Sequence, residues 1–428
     1  MEFKSTKNKR LVKENVFRQY KSVYFLSKCL LLGPPSLKKQ EAPSGFHRIG
    51  LLILTAAYIY TSYLAFVDVE TLHPIGGSLI SLNMDRAVLF FNTILVLVTL
   101  NSTRKYRASV FDYLQSLHNF DLSCLKYFGR MANSNGKSLK NIRVFFMHLL
   151  LSITFLLSEI GYSIKEFGYV QGYNICFLIG FVLRKCVVLQ YVTIVNFCYW
   201  RFKFLNLIVV NFYNKQNEKT MFLLVEDYKT TWYKSQHVRN TLTMVRLLHE
   251  DLCAVCRDLI DKYGLFQCMA IITGLVEQLA LAYGIFVTLT NDEGYSSSYI
   301  ALSIIRSLCY VYVVAISQFY FVFYFCDIVK RESMRAGYLV QRFYLQTNNR
   351  NELMEPVKLF ALQIKQTELF FSAAGIFILD WELMSAIANE VTSYLVFFIQ
   401  SSGFSFAVDK NFDPRMKPAI SQPLINTI

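Results

Sequence analysis

Long apolar runs separated by polar and charged stretches dominate the chain. The run 49–67 (IGLLILTAAYIYTSYLAFV) carries no charge until its end, and 80–100, 144–163, 175–200, 266–289 and 300–326 are of similar length with few charges. A seventh run, 382–400, is the least apolar because it holds Glu382, Asn389 and Glu390. A bilayer core takes about 20 mostly apolar residues per helix. Lipid offers backbone groups no hydrogen-bond partner, so such runs must be helices or closed barrels. Barrel strands alternate polar and apolar residues over about 10 positions, and these runs do not alternate. The pattern predicts an all-α polytopic membrane protein with seven transmembrane helices. A shorter stretch, 23–33 (VYFLSKCLLLG), ends at Pro34-Pro35 and is too short to span, which predicts an interfacial or packed helix.

Charge placement then orients the chain. Of its 44 Lys and Arg, 36 fall in 1–48, 101–143, 201–265 and 327–381, whereas the intervening loops and the tail after 400 hold five. Basic residues concentrate in cytoplasmic loops, so the N-terminus is expected in the cytoplasm and the C-terminus outside. That is the reverse of a G-protein-coupled receptor. Placed this way, the net charge of +14 is a membrane-topology signal, and no nucleic-acid module accompanies it. Of the 428 residues, 54% are hydrophobic and 17% charged, against about 25% charged in soluble domains. No cleavable secretory signal follows the basic first 21 residues.

The long basic loops carry helical patterns of their own. In 239–262, Leu242, Val245, Leu248, Leu252, Val255 and Leu259 recur every three to four residues, and Val357, Phe360, Ala361, Ile364 and Leu369 do so in 353–371. The membrane helices are therefore expected to continue into the cytoplasm and pack there. The expected organisation is a cytoplasmic segment 1–48 and six helices with their loops over 49–328. Cytoplasmic anchor helices over 329–381, helix 7 over 382–400 and an extracellular tail 401–428 follow.

No Gly-rich phosphate loop, His-Glu metal motif or nucleophile elbow is present, so neither an enzyme site nor a cofactor is expected. His249, Cys253 and Cys256 share a helical face but lack a fourth ligand at structural-zinc spacing, and read as packing. Ionisable residues inside spans are costly and mark function or tight pairing. Here they are Glu159, Arg184, Lys185, Glu277 and Arg306, biased toward the extracellular half. With Gln190, Gln278, Tyr58, Tyr283, Tyr310 and Tyr312 they offer polar anchors in an apolar bundle, the composition a small-molecule site needs. The competing reading is internal salt bridging, Glu277 with Arg306 or Glu159 with Arg184.

In the last helix, Glu390, Ser393, Tyr394, Phe397, Gln400 and Ser401 form one polar and aromatic stripe, opposite Leu383, Ile387, Val391, Leu395, Phe398 and Ile399. Such a stripe hides against protein or lines water, and rings of carboxylates or amides with apolar constrictions build cation pores. The stretch 371–400 resembles the C-terminal signature of insect gustatory receptors: Thr-Tyr, five hydrophobic residues, then Gln-Phe. Tyr394, the run 395–399 and Gln400 match it, while Ser393 and Ser401 replace the Thr and the Phe. The resemblance implies a ligand-gated, non-selective cation channel of gustatory neurons, in the plasma membrane of dendrite, axon and cell body. It would be a homo- or hetero-tetramer with other gustatory receptors, embedded in membrane lipid and opened by a small-molecule tastant. Gln400 would stand in the narrow outer pore and the run near Phe397 would gate it. Leu395 stands where the sugar-sensing branch has Glu, which argues against a sweet-type receptor. A secondary transporter would show paired interrupted helices, and none is visible.

Overall fold

A computed structural model describes residues 2–30, 32–33, 45–72, 79–129, 137–167, 172–220, 228–290, 305, 308, 319–346 and 350–410. The elements in chain order are α1 (Glu2–Cys29), α2 (Gly45–Leu72), α3 (Leu79–Phe128), α4 (Lys137–Phe167), α5 (Gly172–Thr220) and α6 (Tyr228–Thr290). They continue with α7 (Phe321–Gln346), α8 (Arg350–Gln366), β1 (Ser372–Ala373), β2 (Phe377–Ile378) and α9 (Trp381–Lys410). Among the described residues, five stretches are long and apolar enough to cross a membrane: Arg48–Val67, Leu82–Ser102, Ile175–Asn211, Val238–Val287 and Trp381–Ser401. The expected third span lies in α4, whose apolar part Arg143–Ser158 is shorter. Most of the expected sixth span, 300–326, lies outside the described residues.

α3, α5 and α6 run for 50, 49 and 63 residues, at least twice the length a bilayer needs. Their apolar stripes continue past the hydrocarbon region, so one helix serves both layers. α5 is the hub: it packs on α1, α2, α3, α4, α6 and α7, and Cys186, Val187, Val188, Ile194, Val195 and Phe197 along it are fully buried. Beyond the apolar span of α3, Tyr113, Leu114, Leu117 and Phe120 are buried, and the α3–α6 contact is among the most extensive in the fold. On α6, Leu242, Val245, Leu248, Leu252 and Leu259 are buried and Val255 is half-buried.

The stretch from 23 to 29 closes α1, with Val23 and Ser27 buried and Phe25 70% exposed. Tyr20 and Val23 are fully buried, Phe17 meets Phe111 of α3 at 6.4 Å, and the chain stops where Leu32 and Gly33 both donate to the Ser27 carbonyl. The helical pattern of 353–371 ends at Gln366. Leu369 and Phe371 are buried from an extended segment that enters a small antiparallel hairpin, β1–β2. Its turn needs positive φ at Ala374 (53°) and Gly375 (73°), a conformation glycine adopts freely and alanine at a cost of roughly 1 kcal/mol.

α9 starts immediately after the hairpin. Asp380 caps it by accepting from the Leu383 amide at 3.1 Å, and Glu382 in the first turn complements the helix dipole.

Candidate functional site

Among the described residues, α9 is the least covered apolar helix. Between Trp381 and Ser401 only Ile387 is buried. Its contacts are with α6 and α7, and its rings pair Phe398 with Tyr283 of α6 (6.2 Å) and Trp381 with Tyr320, the residue before α7 (5.7 Å). The face turned to the bundle carries Leu383, Ile387, Val391, Leu395, Phe398 and Ile399, all half-buried or buried. Glu390, Ser393, Tyr394, Phe397 and Gln400 are exposed, with Tyr394 at 54% and Phe397 at 60%, and Ser401 is half-buried. The Ser393 hydroxyl donates to the Asn389 carbonyl at 2.9 Å, so it is satisfied within its own helix. A helix exposing both aromatic and carboxylate side chains at membrane depth leaves groups that lipid solvates poorly.

Of the intramembrane ionisable residues, Arg184 and Glu277 meet, an internal salt bridge between partners other than the two pairings named. Arg184 of α5 donates from Nη1 to Glu277 Oε1 of α6 at 2.8 Å, with both side chains essentially inaccessible. Arg306 and Tyr310 lie outside the described residues. Glu159 falls within α4, but its side chain is not among those described. Arg184 and Glu277 are 93 positions apart, and the α5–α6 packing brings them together. The rings and cations around them are close, with Lys185 Nζ 5.1 Å from the centre of Phe181. Gln190 lies further along α5, taking a hydrogen bond from the Tyr263 hydroxyl and donating to the Leu32 carbonyl, each at 3.4 Å. It joins the segment after α1 to α5 and α6, apart from the Arg184–Glu277 pair.

One member of this polar layer escaped the sequence reading. Asn92 of α3 is fully buried, and neither its Oδ1 nor its Nδ2 finds a partner among the described residues. The signal was a lone amide in AVLFFNTILVLVTL. A second ion pair joins α3 to α5: Arg201 donates at 2.6 Å to Asp121, which lies beyond the apolar span of α3. Burial raises the Asp121 carboxyl above its ordinary range, and Arg201 pulls it part of the way back.

His249, Cys253 and Cys256 share the buried seam of α6. His249 Nε2 donates to the Ser333 carbonyl of α7 at 3.0 Å, and its ring edges Phe202 and Phe360, so it ties α5, α7 and α8 together. Among the described residues no three His, Cys, Asp or Glu form a set that could hold a metal.

These features define a polytopic helical membrane protein with an uncovered final helix and a buried polar layer within its bundle. The chain belongs to the 7tm chemosensory receptor family, whose model matches residues 20–402. No curated protein matches the sequence. In fold the chain is similar to the insect olfactory receptor OR5 from Machilis hrabei, with a TM-score of 0.65 over 91% of this chain and 99% of that one, at 9% identity. Family membership places the chain among receptors and not among enzymes.

Proposed function

We propose that this chemosensory receptor is a tastant-gated, non-selective cation channel in the plasma membrane of gustatory neurons. The pore is formed by α9 of several subunits, as a homo- or hetero-tetramer. The observation that carries this reading is the exposed stripe Glu390, Ser393, Tyr394, Phe397 and Gln400 on a helix that leaves the bundle almost uncovered. Against lipid, these polar groups would be costly. Around a water-filled axis built from several copies they are solvated, and Phe397 supplies an apolar constriction beside them. Ser401 lies at the outer end of the same stripe. The gustatory assignment rests on the 394–400 match to the gustatory receptor signature.

The ligand enters from outside into the extracellular half of the bundle, toward Arg184 and Glu277, with Gln190 deeper; Glu159, Arg306 and Tyr310 remain part of the proposed set on sequence grounds. A receptor acting through G proteins would need the opposite orientation, which the loop charges oppose.

Calcium entry into cells expressing this chain, alone and with partner receptors, tests the proposal against a panel of bitter compounds, sugars and other tastants. An N-terminal tag accessible on intact cells, or tastant responses abolished by blocking G proteins, would overturn it.

A further inference from the structure

α1 has two unlike faces. Val16, Gln19, Tyr20, Val23 and Ser27 are buried on the side that packs against α3 and α5, whereas Arg18, Lys21, Phe25 and Lys28 are exposed. At 3.6 residues per turn the four exposed side chains fall within an arc of about 80°, opposite the buried ones. Contacts with neighbouring helices fix how deep each part of α1 lies. Phe17 meets Phe111 and His118 of α3 at 6.4 and 6.3 Å, and both follow the apolar span of α3, which ends at Ser102. Further along, the Ser27 hydroxyl and the Cys186 thiol are 3.5 Å apart, and Gln190 donates to the Leu32 carbonyl just beyond the helix. Cys186 and Gln190 lie inside the apolar span of α5, about 17 and 23 Å from its start at Ile175, where a hydrocarbon core is about 30 Å thick. α1 therefore climbs from the aqueous side into the adjoining leaflet, and its exposed face runs along lipid.

A cationic face at this depth has few suitable partners. An ammonium in hydrocarbon is costly, and a long lysine side chain lowers the cost by reaching back toward the headgroups. Lys28 does so: its Nζ lies 5.6 Å from the centre of the Tyr24 ring, one turn nearer the N-terminus. That brings its charge to about one helical turn from Lys21, with Phe25 on the surface between them, and Arg18 is about 5 Å further toward the water along the axis. Among the described residues no carboxylate pairs with Arg18, Lys21 or Lys28. A soluble acidic partner could reach Arg18, but not Phe25 and Lys28 within the leaflet. A zwitterionic headgroup would bring its own ammonium into the cluster. An anionic phospholipid matches both parts of the face, its headgroup among the cations and its acyl chains over Phe25.

We infer that the exposed face of α1 is a binding site for an anionic phospholipid of the adjoining leaflet. Lys21 and Lys28 hold the headgroup, Arg18 extends the positive field and Phe25 lies against the acyl chains. The site depends neither on the identity of the tastant nor on the channel reading.

The test is native mass spectrometry of the full chain released from nanodiscs in which dioleoylphosphatidylserine replaces dioleoylphosphatidylcholine stepwise. At least one phosphatidylserine is expected to stay bound in preference to phosphatidylcholine. Lys21→Gln with Lys28→Gln removes two charges, each expected to contribute about fivefold, so retention at low phosphatidylserine content should fall at least tenfold. Lys21→Arg with Lys28→Arg keeps the charges and should keep the lipid. Lys358→Gln with Lys365→Gln, an equal loss of charge on exposed positions of α8, should leave retention unchanged. Glycerophosphoserine, the same headgroup without acyl chains, should not compete. Should the α1 glutamine variant not fold, Phe25→Ala decides, and it is expected to lower retention severalfold without touching a charge. Equal retention of the two lipids, competition by the free headgroup, unchanged retention in a folded α1 variant, or an equal fall in the α8 control would overturn the inference.

Discussion

Gly264 of α6 lies so close to Ala374, at the tip of the β1–β2 hairpin, that a β-carbon on the glycine would sit 2.9 Å from the Ala374 nitrogen and 3.3 Å from its Cα. The contact joins α6, which is continuous from Tyr228 past Glu277, to the hairpin that immediately precedes α9. The obstructing atoms are backbone, so they cannot rotate aside as a side chain would. Gly264→Ala is therefore expected to displace the hairpin and cost about 1–3 kcal/mol. It should also shift the ligand concentration for half-maximal response. Unfolding temperature in detergent and dose-response currents check the two effects separately, and Gly284→Ala in the same helix, whose added β-carbon meets no described atom within 4 Å, serves as control.

The Arg184–Glu277 pair yields an asymmetric expectation. Glu277→Ala strands a buried guanidinium and should cost about 3–5 kcal/mol, whereas replacing both residues with Met should recover much of that loss. Thermal unfolding of the two single variants and the double variant measures the coupling. Equal losses from the single and double replacements would mean that the ion pair is not what stabilises the α5–α6 seam.

Such pairings mark the limit of what the chain discloses locally. The apolar spans and the continuation of α6 could be read from single stretches, because hydrocarbon thickness and the 3.6-residue period act on neighbours in sequence. That Arg184 meets Glu277 depends on which helices adjoin, and no local pattern encodes it. The hairpin at 372–378 was hidden for a different reason: only Gly375 signals a positive φ, and Ala374 adopts one because the surrounding packing imposes it. Asn92 was visible, yet its place against Gly180 of α5 appears only once the helices are packed. The two faces of α9, by contrast, are periodic, and their burial divides along the line the residues draw.

Asp121, beyond the apolar span of α3, provides a pH-dependent contribution through its buried pair with Arg201. Burial raises the Asp121 carboxyl, so over the window between its unfolded value, near 4, and its higher folded value the native state binds more protons than the unfolded one. Its contribution to stability is therefore fully present below about pH 4 and is lost as pH rises through the folded value. Asp121→Asn has no proton to exchange. The difference in unfolding temperature between wild type and this variant should change monotonically across that window and level off above it. A difference independent of pH would show that the carboxyl titrates alike in both states.

The stripe on α9 gives the sharpest contrast, because its residues make so little contact within the subunit. Phe397 is 60% exposed and Gln400 is exposed, so truncating either removes almost no packing within the protomer. Substitutions at such positions usually change stability by less than about 0.5 kcal/mol. Ile387, on the opposite face, is buried in the bundle, and Ile387→Ala should cost about 2 kcal/mol or more and reduce the amount of receptor at the surface. Phe397→Ala and Gln400→Ala should therefore leave surface expression intact while changing conductance, ion selectivity or open probability. Surface biotinylation alongside whole-cell recording separates these effects. Normal currents in both stripe variants would remove α9 from the permeation path, and a fall in surface expression matching that of Ile387→Ala would mean the stripe serves folding.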